Sequence, residues 1–160
     1  MKKSLSIVLS LIMIISTLTA LPFAAHATVY SGKCGDNVSY SFDTDTGDIT
    51  ISGTGDMYNY STSEAPWANY ADGIKNVIVE YGVTSIGDFA FNNPPVDENR
   101  YSNLKSVKIA QTVTKIGQLA FRGCNGLTTV VIPYGVKTIK YAAFYDCANL
   151  KKIALPSTLT

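Results

Sequence analysis

VTKIGQLAFRGC, residues 113–124, occurs three times in this chain in recognisable form. Residues 83–91 read VTSIGDFAF and residues 136–147 read VKTIKYAAFYDC. A string repeated in this way is either a site used repeatedly or a packing unit that works only in series. The recurring positions are apolar or small (Val113, Ile116, Gly117, Ala120, Phe121, Cys124), whereas Thr114, Lys115, Gln118 and Arg122 vary. Recurrent apolar residues and variable polar ones describe a core position, so the string reads as packing.

Aligning outward from it gives four segments that begin at Ile74, Leu104, Leu127 and Leu150. The last three are spaced by 23 residues and the first gap is 30, the excess falling in NNPPVDENRYSN (92–103), which reads as a loop inserted into one rung. Within LKSVKIA, apolar Leu104, Val107 and Ile109 alternate with Ser106 and Lys108 as a short strand requires. A turn follows, then Val113 and Ile116 point inward, and GQLAF turns the corner with Phe121 filling the middle. One rung buries almost nothing alone; stacked about 4.8 Å apart, the apolar positions form continuous columns. Fixed self-similarity at this period is the mark of a solenoid in the leucine-rich-repeat range. The expected fold is a β-rich solenoid: a right-handed coil of 23-residue rungs, with rungs at 74–103, 104–126 and 127–149 and a partial one at 150–160.

The pattern L-x-x-V-x-I-x-x-x-V-x-x-I-G-x-x-A-F-x-x-C over residues 74–160 resembles the BspA-like leucine-rich repeats of bacterial surface proteins. The preceding SGKCGDNVSYSFDTDTGDITISGTGDM and APWANY resemble the segment that often precedes such repeats. The resemblance implies a secreted or surface-displayed protein that adheres to host proteins or other cells. Departures are the inserted loop, Lys140 in place of the corner glycine, and a fourth rung that is only begun.

Residues 1–27 have the layout of a secretory signal peptide: Lys2 and Lys3, an apolar run from Leu5 to Leu18, and Ala25-His26-Ala27 before an expected mature start at Thr28. The apolar run is short for a membrane span. No second apolar run follows, so no span is expected after cleavage. His26 is the one histidine in the sequence and leaves with the signal. Without it the chain cannot build a Ser-His-Asp or Cys-His pair, and it lacks the commonest zinc ligand. No enzymatic activity is therefore expected.

Residues 28–73 are expected to form an N-terminal cap containing a β-hairpin, whose turn is DTDTGD (43–48). Its spacing departs from a calcium loop, since Gly47 stands fifth and Thr54 twelfth. A carbohydrate-active role for Asp43, Asp45 or Asp48 is the weaker alternative. Tyr58, Tyr60, Trp67 and Tyr70 read as a lid over the first rung, with a sugar-stacking platform as the alternative. Cys124 and Cys147 stand one repeat apart and read as a ladder of buried thiols rather than a disulfide or metal pair, because side chains in stacked rungs point in parallel.

Charge divides along the chain. Residues 28–100 carry eleven acids and three bases, and residues 101–160 carry one acid and eight bases. The candidate binding face combines two columns of outward strand positions with basic side chains: Asn76, Ser106, Lys108, Lys115, Thr129, Val131, Lys137 and Lys152. It is expected to bind extracellular proteins of host or bacterial surfaces, acidic ones in particular, with no nucleic acid and no cofactor. Two further expectations concern the last rung: its uncapped edge pairs head-to-tail with another copy, or the chain is the first part of a longer repeat scaffold.

Overall fold

A computed structural model describes residues 27–62, 64–94 and 100–160. The signal segment up to residue 26, and residues 95–99 of the inserted loop, lie outside the described residues. Eleven short strands run along the described chain. Three come first: β1 (Val29–Lys33), β2 (Val38–Asp43) and β3 (Asp48–Gly53), paired antiparallel as a meander. The DTDTGD turn joins β2 to β3 as a hairpin, as its flanking alternation required. Asp43 Oδ1 accepts from the backbone N–H groups of Asp45 (2.8 Å) and Thr46 (3.2 Å), and Gly47 takes φ 77°. A short turn of 3-10 helix at Ala68–Gly73 leads to the first repeat.

From there each rung has two strands on two sides of the coil. The outer sheet continues from β3 through β5 (Asn76–Val79) to β7 (Ser106–Ile109), now parallel, and β9 (Thr129–Val131) and β11 (Lys152–Ala154) form a parallel pair that lies beside β7. The second sheet stacks β4 (Gly55–Asp56), β6 (Val83–Ile86), β8 (Lys115–Ile116) and β10 (Thr138–Ile139), all parallel. Lys115 pairs with Thr138 and Thr129 with Lys152, so equivalent residues of these rungs sit one above another. The parallel stack begins one layer earlier than the repeated string indicates. Asp48 to Ile51 pair in register with Asn76 to Val79, so β3 and β4 together trace a rung with no I-G-x-x-A-F corner.

Between the sheets the apolar columns close into one core. Ile74, Leu104 and Leu127 are fully buried, as are Val83, Val113 and Val136. Phe91, Phe121 and Phe144 stack with centroids 5.3 Å apart and planes within 7° of parallel. Trp67 continues this column past Phe91, 5.2 Å away at 22°, and donates its Nε1–H to the Ala90 carbonyl at 2.9 Å. Each buried aromatic removes enough apolar surface to be worth roughly 1.5–3 kcal/mol. At the corner, the chain turns through left-handed residues at the same rung position: Phe89 (φ 57°), Leu119 (φ 52°) and Ala142 (φ 54°). The first two are held by bonds to the next rung, Phe89 N–H to the Gln118 carbonyl and Leu119 N–H to the Tyr141 carbonyl. The corner glycines are required by close approach: a Cβ on Gly87 would run into the Tyr58 carbonyl.

Candidate interaction face

Alternation along each outer strand turns one residue in two toward solvent. In register across β5 and β7, Asn76 stands opposite Ser106 and Ile78 opposite Lys108; across β9 and β11, Thr129 stands opposite Lys152 and Val131 opposite Ala154. Six of the eight expected binding residues (Asn76, Ser106, Lys108, Thr129, Val131 and Lys152) therefore share the outer sheet. The first row is hydrogen-bonded at one end: Ser106 Oγ donates to Asn76 Oδ1 and Asn76 Nδ2 to Asp48 Oδ1, each at 2.7 Å. The second row is more apolar, and Val131 is 62% exposed. Beside it Ile78, Val79, Glu80, Tyr81, Lys108 and Ala110 line a shallow depression of about 390 Å³. Tyr81, at 81% exposure, forms one wall.

Lys115 and Lys137 do not join them. Lys115 is in β8 and Lys137 immediately precedes β10, both on the second sheet, so the expected set divides between two sides of the coil. The physical reason is the turn at Gln111–Val113, which carries the chain from one sheet to the other within each rung. Lys115 lies on the same side as Asp56. The Asp56 carboxyl is held below its ordinary value first by the Thr84 hydroxyl (2.6 Å), then by Ser85, with the charge of Lys115 adding to it.

Three exposed lysines that the strand alternation did not pick out border the outer sheet. Lys75, Lys105 and Lys151 directly precede strands β5, β7 and β11, and all are exposed. The Lys105 N–H donates to the Lys75 carbonyl (2.7 Å) and the Lys151 N–H to the Thr128 carbonyl (3.0 Å), and with β9 beside β7 and Thr128 one 23-residue repeat after Lys105 the two pairs continue one row. Their signal lay in the repeat alignment, one position after the leading Ile or Leu. Lys140, by contrast, is committed: its Nζ lies 3.0 Å and 3.1 Å from the two carboxylate oxygens of Asp88, two rungs away, and passes the side-chain-free Gly117. Arg122 stands over the Tyr145 ring at 5.8 Å.

The remaining expected features are structural. Tyr60 and Tyr40 pack edge-on against Trp67, and Tyr70 stacks between Tyr30 and Phe42, so three of the four aromatics ahead of the repeats close the end of the core. Tyr58 stays exposed and donates its hydroxyl to Asp36 Oδ1 at 2.9 Å. The cysteines form a ladder of free thiols: Cys124 Sγ donates to the Phe91 carbonyl (3.3 Å) and Cys147 Sγ to the Phe121 carbonyl (3.1 Å). Burial raises the pKa of both, and pushes Cys34 up to about 12, so these thiols are poor nucleophiles. Of the hairpin-turn carboxylates, Asp43 accepts from the backbone of the turn, Asp48 accepts from Asn76 across the sheet, and Asp45 is exposed.

Comparison with known proteins agrees with this architecture. Residues 98–160 match the model of the BspA type leucine rich repeat region, described for six copies. A leucine-rich repeat protein from Eubacterium ventriosum is 26% identical, with a TM-score of 0.55 over 82% of this chain and 45% of its own. A leucine rich cell surface protein from Faecalibacterium prausnitzii is 26% identical, with a TM-score of 0.53 over 79% of this chain and 34% of its own. One from Bacteroides ovatus, 23% identical with a TM-score of 0.52 over 71% of this chain and 32% of its own, shares the fold. The chain thus spans less than half the length of these solved relatives, and no curated protein matches it. Residues 98–160 thus match the BspA type of leucine-rich repeat, and the described chain shares the fold of solved bacterial leucine-rich repeat proteins.

Proposed function

We propose that this chain is an exported, non-catalytic module that binds proteins on cell surfaces, and that it does so through the outer sheet. The reading includes a mature chain from Thr28, a cap at 28–73 and a right-handed coil of 23-residue rungs over 74–160. One observation carries it: the recurring Val, Ile, Ala and Phe positions of the repeated string pack into or against the core, while the outer strands offer in-register rows whose members differ from rung to rung. A solenoid presents such an extended face to its partners. Asn76, Ser106, Lys108, Thr129, Val131 and Lys152 form the contact surface, and Lys115 and Lys137 extend the positive field around the side. That field favours acidic partners and fast encounter at low salt. The Faecalibacterium relative, named as a cell surface protein, supports the surface location.

The test is capture of proteins from extracellular and bacterial surface fractions at moderate salt. Comparison is with a variant carrying Ser at Lys108, Lys115, Lys137 and Lys152. Binding that is destroyed by protease treatment of the fraction and weakened in the variant supports the reading. Absence of capture, or capture indifferent to both treatments, sinks it.

A further inference from the structure

The basic residues of this coil fall into two kinds. Lys140 is paired with Asp88, Lys115 is within the field of Asp56, and Arg122 lies over Tyr145. Lys75, Lys105, Lys108, Lys137, Lys151 and Lys152 are exposed and have no carboxylate within ion-pairing distance among the described residues. All of these but Lys137 border or lie on the outer sheet. The repeat strands with their leading residues (74–79, 104–109, 127–132 and 150–155) contain five lysines and no Asp or Glu. The nearest acid in register, Asp48, lies beyond Asn76 and is bonded to it. Asp72, exposed on the approach to β5, is the nearest acid in sequence to this border.

Two rows run side by side along the coil axis here. The first is Lys75, Lys105, Thr128 and Lys151, and the second is Asn76, Ser106, Thr129 and Lys152. Stacked strands stand about 4.8 Å apart, so the first row sets point charges at multiples of that distance, with one rung left neutral. The second row sets beside them the Thr129 hydroxyl and the Lys152 ammonium, next to a Ser106–Asn76–Asp48 chain whose hydroxyl and amide already donate along the row. A partner fitted to both rows is linear, carries anions at intervals close to the rung height, and has hydroxyl groups between them. We propose that this border is a binding site for a linear acidic polysaccharide, carboxylated or sulfated, lying across the strands along the coil axis. An acidic polypeptide fits less well. Its same-side side chains repeat at about 6.6 Å when extended, out of step with the rungs. This proposal does not depend on the protein-binding reading, and the two can fail separately.

The purified protein would be titrated with heparin and with polygalacturonate at two salt concentrations, with polyglutamate and phosphatidylglycerol vesicles as competing probes. Three proteins are compared: the native chain, a border variant with Lys75, Lys105 and Lys151 changed to Ser, and a charge-matched variant with Lys33, Lys115 and Lys137 changed to Ser. The expected result is salt-sensitive binding of at least one polysaccharide, weakened about tenfold or more in the border variant and less than about threefold in the charge-matched one. Circular dichroism melts check that both variants fold. Failure of both polysaccharides to bind, equal loss in the two variants, or tighter binding of polyglutamate or vesicles overturns the proposal. If the polysaccharide binds and no protein is captured, the protein-binding reading alone is lost.

Discussion

Phe121 and Lys105 belong to the same rung and obey different rules. Phe121 is fixed between two neighbours at 5.3 Å, so its identity is dictated by the rungs on either side. Lys105 is fixed only through its backbone, by the bond to the Lys75 carbonyl, and its side chain is free to differ. Inward columns therefore carry the stability of the coil, and outward rows carry whatever distinguishes it from other coils of the same build.

Substitutions can break or sharpen that contrast. The largest effect is expected at Phe121→Ala, which opens a gap in the middle of the aromatic column and should cost about 3–5 kcal/mol in urea unfolding. A cost below about 1 kcal/mol would mean the column does not hold the rungs together. Gly87→Ala should come next, at roughly 1–3 kcal/mol, because the new methyl displaces the segment around Tyr58. Lys140→Gln should cost less than about 1 kcal/mol, since the ion pair with Asp88 is partly exposed, and the loss should shrink in high salt. Smallest are the outer lysines: the border variant should unfold within about 0.5 kcal/mol of the native chain. A large loss there would show the outward row to be structural after all.

Acid provides a further probe. The Asp56 carboxyl has its folded pKa lowered, so its contribution to stability is complete above the ordinary carboxylate range and is lost as pH falls through the lowered value. Thr84→Val removes the largest cause and should move the Asp56 titration upward, as followed by carbon-13 NMR of the carboxyl. A titration unchanged by the substitution would assign the lowering to Ser85 and Lys115 instead.

The coil itself was readable because its core is written in periodic apolar residues, and periodicity survives without coordinates. The outward columns Asn76–Ser106 and Thr129–Lys152 followed from the same alignment. The added layer at β3 and β4 was not legible, because Trp67 takes the place of the corner phenylalanine after a long approach and no I-G-x-x-A-F marks it. The division of the lysines was hidden for a different reason. Whether a lysine is committed depends on a carboxylate brought near by stacking, as Asp88 is brought to Lys140 from 52 residues away. Composition counts those charges equally; only the stack shows which are spoken for.

That same pair changes how the coil should come apart. A stack in which each rung touches only its neighbours behaves as a one-dimensional array and frays from an end, layer by layer. The Lys140–Asp88 bond skips a layer, reaching across the rung of Gly117. It adds a weak second-neighbour coupling to the array, worth less than about 1 kcal/mol. In amide exchange, Lys140→Gln should therefore lower protection slightly in the rung of Asp88 as well as in its own.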